Sequence, residues 1–209
     1  MDAMQPQQQP PKVSFKEQMH QAREDAILSS TCELLGAKAF DAMTMDDVAN
    51  AVGIAKASLY KHFCSKEELC SAAMVKILDR VHAHLAGLPA EMPPLEKLHE
   101  MVRWSLHHMM TSEMPLLPGR NSTLRAVLMA HQGYLDSLNA VSDQVGEWIA
   151  QAQAQGTIHP TLPPVVVLYT LYARACDPVV IFLKETGQYS DTEIVDLVVR
   201  TCFDGLAAR

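Results

Sequence analysis

Close-paired cysteines are missing from this chain. Its five cysteines, Cys32, Cys64, Cys70, Cys176 and Cys202, are scattered with no CxxC pair. An odd number at such spacing argues for reduced thiols rather than a disulfide framework. It also argues against structural zinc, whose ligands usually come in close pairs. No apolar run approaches the roughly 18 uninterrupted residues of a membrane span. The opening residues, MDAMQPQQQPPKVSFK, hold no apolar h-region, so no secretory signal is read there and a cytoplasmic chain is expected. There is no GxSxG elbow, P-loop, GxGxxG or HExxH, so nothing points to catalysis and no cofactor is expected. Aromatic residues make up 6%, and neither an alternating strand pattern nor an internal repeat is found.

What remains is a 209-residue chain, 48% apolar, with prolines gathered at apparent helix boundaries. That suits a mostly helical protein of one medium domain, or two small ones sharing a core. The net charge of −7 is unevenly spread. Residues 1–66 hold 7 Lys/Arg against 8 Asp/Glu, and residues 67–209 hold 10 against 16. The acidity sits mainly in the second part, which leaves room for a locally basic surface in the first.

Residues 1–13, rich in Gln and Pro, read as a disordered arm. Lys12, Lys16 and Arg23 near it could approach a DNA minor groove or backbone, or could be a tail without a role. Ser14 with Glu17 fits a capping box opening a helix over about 15–38. Thr44 opens the next helix, with Asp46 and Asp47 in its first turn and a stop at Gly53. A short helix over about 55–62 follows. Ser65 with Glu68 is a second capping box, opening a helix that runs to about Leu85 before Gly87 and Pro89. Beyond it the spacing predicts helices over about 94–112, 122–131, 133–155, 164–187 and 190–207, with a loop at 115–122. Pro178 should kink the fourth of these.

The stretch TMDDVANAVGIAKASLYKHF, residues 44–63, is helix, glycine turn and short second helix, the helix-turn-helix pattern. The second helix of such a pair fits the DNA major groove. Leu59 and Phe63 are four apart and share the face that docks inward. Lys56, Ala57, Ser58, Tyr60, Lys61 and His62 are left on the outer surface. Lysines can neutralise phosphate or reach guanine, Ser58 can meet a base edge, Ala57 a thymine methyl, and Tyr60 and His62 phosphate oxygens. Periodicity alone leaves open a solvated helix face in an ordinary bundle.

With these residues in hand, the segment from about Arg23 to Leu69 resembles the DNA-binding domain of the TetR/AcrR family of bacterial transcriptional regulators. The matching positions are Phe40, Thr44, Asp46-Asp47, Val48-Ala49, Gly53-Ile54, the run Leu59-Tyr60-Lys61-His62-Phe63, and Ser65-Lys66-Glu67-Glu68-Leu69. Two positions depart from the family pattern: Ala55 stands where Ser or Thr usually caps the recognition helix, and Ala39 where Gly is common before the aromatic. The resemblance implies an all-α fold of about nine helices. A disordered arm (1–13) would lead into a three-helix helix-turn-helix domain (14–64), a connecting helix (65–87) and a helical bundle for ligand binding and dimerisation (88–209). It implies a dimer on double-stranded operator DNA with recognition helices about 34–36 Å apart. Thr44, Tyr60 and His62 would grip phosphates, Lys56, Ala57 and Ser58 would lie nearest the bases, and Lys66 would take a further phosphate. Tyr60 partly packed, and Lys66 merely solvated, are the competing readings.

The resemblance also implies a small-molecule effector acting on the second part. Met101, Trp104, His108, Met109, Met129, Tyr134, Trp148, Tyr172 and Cys176 are candidate pocket lining, though such a stripe also suits an ordinary core. The last two long segments are apolar over most of their faces, so Val167, Leu171, Phe182, Val195, Val198 and Phe203 are candidates for a homodimer interface rather than a purely internal core. No membrane partner is expected. His82, His84, His99, His107, His108 and His131 form no natural chelate, so no metal ligands are assigned. The expected activity is a ligand-responsive regulator, most simply a repressor released by a largely apolar effector. Alternatives are a regulator gated by oxidation of Cys64, and a helical small-molecule-binding protein without operator binding.

Overall fold

The computed structural model of the chain describes residues 14–38, 40–111, 114 and 123–206. The expected arm over 1–13, Ala39 and the expected loop over 115–122 lie outside them. Among the described residues there are ten α-helices, one 3₁₀ turn and no β-strand.

The N-terminal unit starts with α1 (Phe15–Ala37), whose first turn is closed by a reciprocal cap. The Glu17 N–H donates to the Ser14 hydroxyl at 3.3 Å, and the Ser14 N–H donates to the Glu17 carboxylate at 2.9 Å. A 3₁₀ turn (Phe40–Ala42) leads to α2 (Met45–Val52), capped in the same way by Thr44 and Asp47. Gly53 ends α2 at φ 73°, in the left-handed region that favours glycine. α3 (Lys56–Leu59) is a single turn, shorter than the 55–62 expected, and residues 60–62 continue as turns, closed by backbone bonds such as Phe63 N–H to Leu59 O at 3.0 Å. A helix that short is not stable alone. Leu59, completely buried, contributes roughly 1.5–3 kcal/mol towards holding it.

α4 (Lys66–Ala86) begins at Ser65, whose hydroxyl accepts from the Glu68 N–H at 3.1 Å. The Glu68 carboxylate accepts instead from the Cys64 N–H at 2.7 Å, one residue before the partner a capping box would use. The second part comprises α5 (Pro94–Met110), α6 (Thr123–Met129), α7 (Gln132–Ala154), α8 (Pro164–Ala175), α9 (Val179–Glu185) and α10 (Asp191–Leu206). Pro178 does more than kink the expected long helix: the chain breaks there into α8 and α9. Pro178 lacks the N–H a continuous helix needs, and Asp177 accepts from the Val179 N–H at 3.0 Å, which starts the next helix.

α4 packs on α1 on one side and on α7 on the other, and α5, α7, α8 and α10 complete the bundle. The core is continuous, from Ile27, Val48, Leu59 and Leu69 through Leu85 and Leu106 to Ile149, Leu171 and Ile194. Lys76 reaches Asp25 of α1 at 2.5 Å and Asp79 accepts from Ser137 of α7 at 3.0 Å. One rigid helix therefore belongs to both units.

Candidate nucleic-acid interface

Thr44 fixes the start of α2. Its hydroxyl accepts from the Asp47 N–H at 3.2 Å, its own N–H donates to the Asp47 carboxylate at 2.8 Å, and such a cap is worth about 1 kcal/mol. The Lys38 ammonium also sits 2.9 Å from that carboxylate. Lys38 and then Thr44 pull the Asp47 pKa from 3.8 down to about 2. The Lys38 partnership was not readable from one helix at a time, because Lys38 lies at the end of α1.

α3 has no side-chain cap at Ala55, as that substitution led us to expect. Lys56, Ala57, Tyr60 and Lys61 are exposed, Tyr60 by 45% despite its size, and Ser58 is half-buried. The Lys56 ammonium lies 2.7 Å from the Asp46 carboxylate, which holds the lysine pKa up through their hydrogen bond. Such an exposed pair is worth at most about 1 kcal/mol, so a phosphate can replace Asp46 as the partner. The result is a compact projection with two cations, a phenol and a small apolar side chain, and with Thr44 exposed at the neighbouring helix start.

Two expected DNA contacts are engaged elsewhere. The His62 side chain is only 5% exposed, lies 3.3 Å from Glu24 of α1 and stacks on His20 at 4.5 Å between ring centroids. It lies beyond the end of α3, where the chain continues as turns, and these bring its ring back against α1. Lys66 donates to the carbonyls of Phe40 at 3.0 Å and Met43 at 3.1 Å, with its ammonium 4.2 Å from the Phe40 ring centre. It fastens the 3₁₀ turn instead of facing outward.

In the second part, Met101, Tyr134, Tyr172 and Cys176 of the candidate pocket residues line one apolar cavity of about 90 Å³ between α4, α5, α7 and α8. Met74, Ile77, Leu78 and Val81 of α4 form another wall. Its polar side chains are few, Ser105, Tyr134 and Tyr172; the Tyr172 hydroxyl is 2.8 Å from that of Ser142, and burial raises the pKa of Tyr172 and Tyr134. The other five candidates do not line it. Trp104 stacks with His84 and lies against His108, with ring centroids 4.9 and 3.8 Å away. Met109 and Trp148 are core, the latter under the Lys97 ammonium, and Met129 is exposed.

Of the six candidates for a dimer interface, Val167, Leu171, Val195, Val198 and Phe203 are buried inside the chain's own core and are out of a partner's reach. Phe182 is 63% exposed. Val165, Val166 and Tyr169 on α8, Ile181 on α9, Tyr189 in the α9–α10 turn and Leu197 on α10 are also exposed.

An all-helical fold with a glycine-turned helix pair at its N-terminus and a cavity-bearing bundle behind it defines a helix-turn-helix protein of two-part architecture. Residues 27–73 match the family model of bacterial regulatory proteins, tetR family. The biofilm operon icaADBC HTH-type negative transcriptional regulator IcaR is 42% identical in Staphylococcus epidermidis and 44% in Staphylococcus aureus, each over 45 residues. Those stretches cover 22% of this chain and 24% of each relative, so the chain matches about a quarter of the length of these curated relatives. The likeness in fold runs much further. The structure of the fatty acid degradation regulator FadR from Bacillus halodurans superposes with a TM-score of 0.63, covering 90% of this chain and 97% of that one at 16% identity.

Proposed function

We propose that the chain is a transcription regulator of the repressor type, which binds a palindromic DNA duplex as a homodimer and is released by a small, largely apolar effector. The observation that carries this reading is the exposed group Lys56, Ala57, Tyr60 and Lys61 on a turn fixed by Thr44, Gly53 and Leu59. Lysine and tyrosine there supply phosphate contacts, and Ala57 meets base edges. Repression is favoured by the description of IcaR as a negative regulator. Pairing through the outer face of α8 and α9 supports the dimer, since residues 164–185 are long and apolar enough by composition to span a bilayer, yet only 22% buried. The Arg174–Asp177 ion pair, at 2.5 Å, sits in the middle of that stretch. Charges there are costly in lipid, so a second protein surface fits better than a membrane.

The cavity is smaller than the several hundred Å³ of typical ligand sites, so an effector has to part its walls. A gel-shift titration with the duplex upstream of the chain's own operon tests the reading. Retardation should weaken steeply with salt and disappear in a Tyr60→Ala/Lys61→Ala double variant with unchanged circular dichroism. A duplex bearing the inverted repeat that stays unshifted at low ionic strength refutes it. A thiol-gated variant of this mechanism is favoured by one observation, that Cys64 is exposed beside the recognition turn while Cys32, Cys70 and Cys202 are buried. Peroxide sensitivity that persists in Cys64→Ser rules it out.

A further inference from the structure

We infer that His20, Glu24 and His62 form a binding site for a divalent cation of the zinc class. His20 and Glu24 are four apart on α1 and share one face. His62 comes to them from the end of the recognition turn, 38 residues further on. The Glu24 carboxylate oxygen is 3.1 Å from His20 Nε2 and 3.3 Å from His62 Nδ1, and all three donor atoms lie within 4.8 Å of one another. Ligands about 2.0–2.1 Å from a tetrahedral zinc stand about 3.3–3.4 Å apart. Two edges of that tetrahedron are thus already set. The third closes by a turn of His20, whose side chain is 58% exposed.

Two imidazoles and one carboxylate are a donor set that suits zinc, with copper and nickel as competitors, and a fourth position is left for water. Both rings can present a lone pair to the ion, because neutral imidazole carries its proton on either nitrogen. The ion reaches the site from the solvent side, where His20 stands. Once bound it clamps the first half of α1 to the tail of the recognition turn, a link otherwise made by the Glu24 carboxylate and the stacking of His20 on His62. The site stands independently of whether the chain binds DNA.

The test uses the full-length chain freed of metal. Zinc titrated calorimetrically should bind once per chain, and cobalt in its place should give the intense visible bands of tetrahedral coordination. His20→Ala and Glu24→Gln should each weaken zinc at least about tenfold and abolish those bands. His82→Ala, an exposed histidine outside the group, should change neither. Zinc should also raise the melting temperature of the wild type but not of Glu24→Gln, which keeps the wild-type fold by circular dichroism. Zinc affinity unaltered in both His20→Ala and Glu24→Gln, or no uptake at micromolar metal, overturns the assignment.

Discussion

Replacing Lys66 by methionine separates two roles that its sequence position leaves entangled. In the structure its ammonium holds the carbonyls of Phe40 and Met43, the two residues that bracket the 3₁₀ turn, and lies over the Phe40 ring. Phe40 and Met43 are both buried, so the turn is pinned to the core on one side and to Lys66 on the other. Hydrogen bonds from a charged donor contribute about 1.5–3 kcal/mol each, and the ring contact adds about 0.5–1 kcal/mol. Lys66 is only half-buried, so water recovers part of what is lost. A lysine at a helix start also opposes the helix dipole, and removing it returns about 0.3 kcal/mol. The net loss for Lys66→Met is about 2 kcal/mol, which lowers the melting temperature of a chain this size by about 4–8 °C. The melts must be compared at one protein concentration, because the stability of the proposed dimer would depend on it. The paired control is Lys61→Ala, which should leave the melt unchanged and reduce the salt slope of DNA binding by about one. If instead Lys66→Met melts within about 1 °C of wild type while its salt slope falls by one, Lys66 is a phosphate ligand and the structural role is refuted.

Asp47 gives an acid-side prediction. Its carboxyl is held at about 2 against an ordinary 3.8, so the stability it supplies is present above pH 3.8 and fades as pH falls towards 2. The stability gap between wild type and Asp47→Asn, followed by urea melts, should therefore close over that window, and a gap constant down to pH 2 contradicts the assignment. Ala55→Ser adds a cap where the backbone is already extended at φ −66°, ψ 140°, and should raise the melting temperature by about 2–4 °C. Tyr169→Glu places a charge on the outward face of α8, where the tyrosine is 67% exposed. It should turn the proposed dimer into a monomer in sedimentation, and a dimer of unchanged affinity removes that face from the interface.

Local signals were the most legible in the sequence. The caps at Ser14 and Thr44 and the stop at Gly53 all act within a few residues, so a single sequence carries their whole cause. Faces of short or uniformly apolar helices were much less so. His62 and Lys66 bracket a stretch where the chain leaves helical geometry, so counting by 3.6 residues no longer says which way a side chain points. In α8, apolar residues occur nearly all round, so the pattern cannot choose between the side that meets α5 and α7 and the side left open. Val167 and Leu171 fell on the first, and Val165, Val166 and Tyr169 on the second. The His20, Glu24 and His62 group was invisible for another reason: its parts lie on two elements, and only the docking of α1 against the recognition turn brings them together.

The position of the cavity bears on how an effector would act. Met74, Ile77, Leu78 and Val81, spaced three and four apart, present one face of α4 to it, and the same helix starts at the turn that Lys66 fastens. From Ile77 to Lys66 is eleven residues, about 16 Å along the helix axis. A tilt of about 10° at the cavity then displaces the recognition turn by about 3 Å, close to the 3.4 Å rise of one base step. α4 cannot absorb that tilt by bending, since it has no proline or internal glycine. The tie between Asp25 and Lys76 carries α1 along with it. In the proposed dimer, an effector that parted the cavity walls would therefore change the spacing of the two recognition turns by about a base step, enough to uncouple them from a palindrome. Spin labels on the paired recognition turns measure this directly, and a separation that stays constant when the effector releases the DNA excludes α4 as the lever.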